Sequence, residues 1–311
     1  MLKIGVQTGG LKEWYPLREV YRMIAEAGFD AVDAGINALW SSKQIKEHFV
    51  PDVLLGDEKA FLEALIPFRD GAAEHGLFHS QAHAPYPFYA KYNNDPETDR
   101  MVLDRLQWFI RGCDFIGCRN LVVHPAFHGY KDPLSPEEEW KINIEAYTSL
   151  IPAAKEYGVT VCLENMLQSR INYKCPKKSY QAICSDASEA ISYIDELNRI
   201  AGEKIFAFCY DIGHANLVSR DIRREAKVLG ERIRVLHIHD NDGISDQHLP
   251  PYMGTADWDR FVLAMRDIGF GGTLSFETGG VWMRWDPELA PQVFKLIAET
   301  GRMFARRIEA P

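Results

Sequence analysis

Between Val235 and Trp258 the chain reads VLHIHDNDGISDQHLPPYMGTADW, which gathers three histidines and four aspartates into one short strand and loop. Packing needs none of these side chains, whereas a site that holds a cation or moves protons needs such groups close together. Elsewhere His83, His124, Glu164, Asp211 and Glu277 each stand at the end of an apolar, β-rich run, as His239 does in the quoted stretch. Each residue alone has an ordinary role open to it: Asp211, for instance, could cap a helix over IGHANL. Together they are harder to explain. Several acids and imidazoles meeting around one small mouth would repel or stay unpaired unless something cationic held them, and a divalent metal is the usual solution.

The elements that would position these groups follow from the hydrophobic pattern. Eight β-rich runs, LKIGVQT, FDAVDAG, LFHSQAH, NLVVHPA, VTVCLENM, IFAFCYD, IRVLHIHD and TLSFETG, alternate with longer stretches of helical period. Val102, Leu106, Phe109, Cys113 and Ile116 recur at helical spacing, as do Trp140, Ile144, Tyr147 and Ile151, and Trp258, Phe261, Val262 and Met265. Repeated βα units of this number and length predict a (β/α)8 TIM barrel, a single domain spanning 1–311, with its active site at the C-terminal ends of the strands. Strand alternation then sets the faces. If Glu164, Asp211, His239 and Glu277 point inward, so do Cys162, Cys209, Val235, His237 and Ser275, and the larger Val161, Leu163, Phe206, Phe208, Tyr210, Leu236, Ile238, Leu274 and Phe276 meet the helices. Pro67 and Pro152 fall within helical patterns and are expected to kink or divide them. The connections 36–57 and 166–186 are too long for plain turns, and either build a lid or subunit contact or decorate the surface.

Composition narrows the classes. A chain of 311 residues with 46% hydrophobic content can bury one large core, and no apolar run is long enough for a membrane span. Six cysteines without a C-x-x-C pair suit reduced thiols, so a cytoplasmic location is expected. A net charge of −9 argues against nucleic acid as a partner. The one basic cluster, Arg170, Lys174, Lys177 and Lys178, is either a solvated loop or a grip on a substrate anion. The GG at residues 9 and 10 is too weak a signal for a phosphate loop.

The motifs QAHAP, VVHPA, CLEN, YDIGHANL, HIHDND, DQHLPPYMGTADW and SFET, in this order and at strand ends, resemble the xylose-isomerase-like barrel superfamily over nearly the whole chain. That superfamily includes sugar isomerases, ketose 3-epimerases, inositol-catabolism enzymes and apurinic-site endonucleases. The resemblance implies Glu164, Asp211, His239 and Glu277 as ligands of one divalent metal ion, with His214 as a catalytic neighbour touching the substrate. Three carboxylates and one imidazole suit Mn2+ first, with Mg2+, Co2+ or Zn2+ as alternatives. The implied reaction is isomerisation or epimerisation of a sugar or keto-polyol through an enediolate, with Glu164 and Glu277 removing and returning the proton. His83, His124, Asp246 and His248 would line the substrate side. Trp14, Trp40, Phe88 and Trp282 fall near the same mouth, where each would either stack on a sugar ring or bury an aglycone or serve packing or a subunit contact, and Trp14 and Trp282 are the substrate-binding candidates. A homo-oligomer accords with the superfamily.

Two departures keep alternatives open. The arginine that ketose 3-epimerases carry shortly after the strand-seven histidine is absent, and Asp246 and His248 occupy that stretch. His83, His124, Glu164, Asp211, His214, His239, Asp246, His248 and Glu277 also match, in order, the three-zinc ligand set of the apurinic-site endonucleases. A third alternative is the catalytic subunit of a C-glycoside deglycosidase acting on 3-oxo sugars, which would need a small partner subunit.

Overall fold

The computed structural model describes residues 1–11, 14–88, 96–127, 134–172 and 175–310, with the side chains of 169–178 and Met283 outside that description. Among the described residues there are ten strands: β1 (Ile4–Gln7), β2 (Ala31–Ala34), β3 (Phe78–His83), β4 (Asn120–Val123), β5 (Thr160–Glu164), β6 (Leu167–Asn172), β7 (Cys175–Gln181), β8 (Phe206–Asp211), β9 (Ile233–His237) and β10 (Leu274–Phe276). Eight of them form a parallel sheet in the order β10-β1-β2-β3-β4-β5-β8-β9. The ring closes beyond β9, where Ile238 bridges Phe276 in parallel register and its amide donates to the Ser275 carbonyl at 2.9 Å. This is the expected TIM barrel, with each expected strand in place.

The alternation of side chains divides the core in two. Inside the barrel lies a small cluster of Val122, Cys162, Cys209 and Val235, with Ala207 against it. Outside, Val161, Leu163, Phe206, Phe208, Tyr210, Leu236, Ile238, Leu274 and Phe276 join the large layer between sheet and helices. The bulky residues therefore sit where helices cover them, each burial contributing about 1.5–3 kcal/mol. The narrow interior keeps small side chains below and polar ones at its mouth. Helix Trp258–Asp267 shows how sequence sets the outer layer: Asp257 accepts from the Arg260 amide as its cap, and Trp258, Phe261, Val262 and Met265 form its buried face. Pro67 and Pro152 behave as expected. Each stands in the first turn of a new helix, Ile66–Glu74 and Ile151–Tyr157, directly after the helices Glu58–Ala64 and Pro136–Ser149.

Both long connections carry structure of their own. Residues 36–57 hold a 3-10 turn, Ile36–Leu39, and short helices Ser42–Lys46 and Asp52–Leu55, the first closed by a capping box between Ser41 and Gln44. Within 166–186, β6 and β7 pair as an antiparallel hairpin. Ser179 donates to the Ile244 carbonyl at 3.2 Å, which ties the hairpin to the loop after β9. The side chains of the basic cluster, Arg170, Lys174, Lys177 and Lys178, lie outside the described residues. Among the described residues no helix is long and apolar enough to cross a membrane.

Candidate metal centre and active site

The C-terminal ends of the strands converge on a cavity of about 690 Å3. His83, His124, Glu164, His214, Asp246, His248 and Glu277 all line it. Asp211 and His239 stand just behind the wall, both fully buried. Thus nine of the eleven expected site residues come together. Trp14 and Trp282 do not line this cavity: Trp14 is 51% exposed, and Trp282 is buried edge-on against Phe294 with ring centroids 5.4 Å apart. Phe88 is on the cavity wall.

Glu164, at the end of β5, is the hub. Its Oε2 lies 3.1 Å from His124 Nε2, and its Oε1 lies 3.2 Å from His214 Nδ1 and 3.3 Å from His237 Nδ1. Burial alone would raise this carboxyl, but the imidazoles of His237, His124 and His214 outweigh it and hold the group well below the usual carboxylate range. Asp211 caps the helix Ile212–Leu217 by accepting from the His214 amide at 2.7 Å. The same carboxylate faces His239 Nε2 at 3.0 and 3.1 Å, so capping and site roles coexist in one residue. Glu277 accepts from Gln7 Nε2 at 3.0 Å and has its other oxygen 3.4 Å from His237 Nδ1.

The orientation of His214 is fixed from below. Its Nδ1 lies 2.8 Å from the Asn165 carbonyl, which can only accept, so Nδ1 carries a hydrogen; Asp246 Oδ2, 3.5 Å from Nε2, favours a proton there as well, and with Asp211 and Glu164 it holds the imidazole well above its usual pKa against the effect of burial. Asn165 also clips β5 to β8, donating to the Asp211 carbonyl and accepting from the Asp211 amide, both at 2.8 Å. His248 is held similarly: Nδ1 is 3.3 Å from the Glu277 carbonyl and Nε2 is 3.0 Å from Asp246 Oδ2. Its ring stacks on His239 at 4.2 Å. Burial lowers the His248 pKa, but Glu277 and Asp246 more than offset it and raise the group to about 9; the same two histidines, 214 and 248, hold Asp246 far below its usual range against the effect of burial.

The donor set fits a cation. His124 Nε2 and Glu164 Oε2 face each other at 3.1 Å, yet neither has a hydrogen-bond partner, and His239 Nδ1 and both nitrogens of His237 are buried without one. Atoms bound to one ion at about 2.0–2.2 Å stand about 3 Å apart, so buried ligand-type atoms that lie this close without a hydrogen bond are what a metal satisfies. Among the described residues six groupings bring such atoms within 4.8 Å of one another, and they include His83, His124 and Glu164; Glu164, Asp211 and His214; and His214, His239, Asp246 and His248.

Several site residues escaped the sequence reading. Gln7 holds Glu277, Tyr86 stacks on His124 at 4.3 Å, and Asp33 lies beneath the mouth with Oδ1 3.5 Å from His83 Nδ1 and Oδ2 3.6 Å from His237 Nε2. Gln7 and Asp33 sit at the ends of β1 and β2, so the strand-end rule that found the other six would have reached them too.

The profile of the xylose isomerase-like TIM barrel family matches residues 21–299. The chain belongs to that family. Within the xylose isomerase-like barrels, a fructoselysine 3-epimerase of Shigella flexneri is 23% identical over 288 residues, covering 93% of this chain and 94% of that protein. A probable endonuclease 4 of Shouchella clausii is 24% identical over 182 residues, or 54% of this chain and 55% of the relative. The chain spans less than two thirds of other curated relatives as well, such as 64% of an uncharacterised protein of Methanocaldococcus jannaschii, 24% identical over 204 residues. Among solved structures, the apo form of 3-keto-D-glucoside 4-epimerase from E. coli superposes with a TM-score of 0.71 at 19% identity, covering 97% and 100% of the two chains. The IOLI protein with a bound zinc atom superposes at 0.67 with 16% identity, covering 99% and 98%. At these identities the structural likeness establishes the shared barrel.

Proposed function

We propose that this barrel is a divalent-metal-dependent isomerase or epimerase of sugars or keto-polyols, with Glu164 and Glu277 as its proton-transfer pair. The observation that carries the reading is their placement: they come from different strands, both face the cavity, and one oxygen of each lies within 3.4 Å of the same His237 nitrogen. A divalent ion held by Glu164, Asp211, His239 and Glu277 would polarise a substrate carbonyl and anchor its neighbouring hydroxyl. Manganese is the first ion to test, since three carboxylates and one imidazole make an oxygen-rich set.

The residues of the chain divide the remaining work. Glu164, kept ionised by its imidazole neighbours, accepts the proton α to the carbonyl. Gln7 fixes Glu277 across the cavity for proton return. Return to the opposite face of the same carbon yields an epimer, and return to the adjacent carbon yields an isomer. His214, Asp246 and His248 offer polar atoms to substrate hydroxyls, while Tyr86, Phe88 and Met166 supply apolar walls that limit water.

The test is solvent exchange. Incubating the manganese-loaded protein in deuterium oxide with a panel of ketoses and keto-polyols should place deuterium at the carbon next to the carbonyl. Glu164→Gln should abolish that incorporation, and Glu277→Gln should abolish formation of the epimer or isomer, with any exchange confined to the starting sugar. Undiminished exchange in Glu164→Gln, or undiminished product in Glu277→Gln, would remove that glutamate from the proton path.

One observation favours a second reading. Three of the ligand groupings, linked through Glu164 and His214, together hold eight of the nine residues that match a three-zinc phosphodiesterase site of the endonuclease kind. Metal content per chain, measured by inductively coupled plasma mass spectrometry, separates the two. One ion that survives Asp246→Asn combined with His248→Asn supports the sugar enzyme; three zinc ions that fall with those changes support cleavage of abasic DNA.

A further inference from the structure

We infer that the substrate is a glycosylated ketose, whose second, uncharged sugar ring occupies a side pocket at the ends of β1 and β2; this rests on the sugar reading above. The side pocket measures about 360 Å3 and meets the main cavity at Gln7, Asn37 and Tyr86, which form walls of both. Small-molecule sites span about 300–1,000 Å3, so the main cavity of about 690 Å3 accommodates a monosaccharide without it. The additional space is contiguous with the reacting centre: Gln7, at the junction, is the residue that holds Glu277.

The chemistry of the walls selects the occupant. Among the described residues no Asp, Glu, Lys, Arg or His lines the side pocket, so none of them offers a partner for the charge of a phosphate or carboxylate. The lining combines apolar Leu17, Trp40 and Phe68 with polar Asn37 and Ser42. A pyranose suits such a mixed lining, because it has a C–H face and a rim of hydroxyls. The Asn37 side chain hydrogen-bonds to no other described residue, which leaves both ends of its amide for a ligand at the junction. Trp282 shapes this pocket from behind: a Cβ on Gly10 would lie 2.6 Å from its Cδ1, so the Gly9–Gly10 wall has tryptophan packed directly beneath it. Since proton abstraction needs a free carbonyl, the second ring must be joined through a hydroxyl remote from the carbonyl carbon.

Saturation-transfer NMR titrations on the metal-loaded protein test this with three probes: D-fructose, isomaltulose (a glucosyl group on the 6-hydroxyl of fructose) and D-fructose 6-phosphate. Isomaltulose is expected to bind about tenfold more tightly than D-fructose, and the phosphate no more tightly. Ala38→Leu adds a branched side chain at an exposed position of the pocket wall, and Ser42→Leu does so from a second position; each should erase the preference for isomaltulose. D-fructose binding as tightly as isomaltulose, tighter binding of the phosphate, or a preference untouched by both variants overturns the inference and leaves the sugar reading standing. Failure of all three probes to bind overturns both.

Discussion

Gly213 faces the imidazole of His239 so closely that a Cβ added to it would lie 2.0 Å from Cε1 and 2.3 Å from Nδ1. The glycine of the DIGH stretch therefore leaves the room in which a ligand-type histidine stands against Asp211. Gly213→Ala should push the ring away while leaving every polar group intact. Displacing a residue that orients a ligand typically costs about 10- to 100-fold in metal affinity. We expect that loss in a competition titration against a chelator, with the far-ultraviolet circular dichroism unchanged. Undiminished affinity would show that His239 does not hold the ion.

Asp240 follows the site histidine but serves the loop. Its two oxygens accept from the amides of Asn241, Gly254 and Ala256 and from Trp258 Nε1, at 2.8, 3.0, 3.0 and 3.0 Å. Four converging donors suit a carboxylate and not an amide, which would point its own N–H groups at two of them. Asp240→Asn should therefore cost about 3 kcal/mol, with two buried donors left unpaired. The urea midpoint of unfolding reads this directly, and a midpoint within experimental scatter of the parent would overturn the assignment.

These two residues show where the sequence was legible. Strand alternation identified the inner and outer faces and six of the eight strand ends, because a period of two with large apolar residues on one face admits few registers. The histidine and aspartate cluster after β9 was harder. Asp240 cradles a loop, Asp242 accepts from the Ile244 and Ser245 amides, Asp257 caps a helix, and Asp246 alone reaches the cavity. All four have the same chemistry in one dimension, and only the path of the loop distinguishes them. Trp282 was legible as an aromatic near the mouth, but its burial behind Gly10 depends on a turn after β10 that no local signal encodes.

Removal of the metal should be visible in stability. An ion that binds only the folded barrel contributes about 2.7 kcal/mol when its concentration is a hundred times its dissociation constant. Adding a chelator should therefore lower the Tm of the metal-loaded protein by several degrees, and excess manganese should restore it. Glu164→Gln, which removes a residue common to at least three ligand groupings, should make the Tm indifferent to chelator. A chelator response that survives this change would place the ion elsewhere.

The pH dependence of stability has a source away from the metal centre. Glu139, in the first turn of helix Pro136–Ser149, has its carboxyl raised from 4.5 to about 7, first by burial and then by the charge of Glu189. Glu189, in the first turn of helix Ala187–Ala201, is itself raised, and accepts from the Cys184 amide at 2.7 Å. A carboxyl whose folded pKa exceeds its unfolded value contributes stability that is fully present below the unfolded pKa and is lost as the pH rises through the folded one. The loss should run from about pH 4.5 to about 7 and then level off. Glu139→Gln keeps the shape of the protonated side chain and removes the titration. Its Tm relative to the parent should therefore be unchanged near pH 4, rise across that window and stay above the parent at pH 8. Scanning calorimetry at four or five pH values measures this, and a variant that tracks the parent throughout would show that Glu139 titrates alike in the folded and unfolded chain.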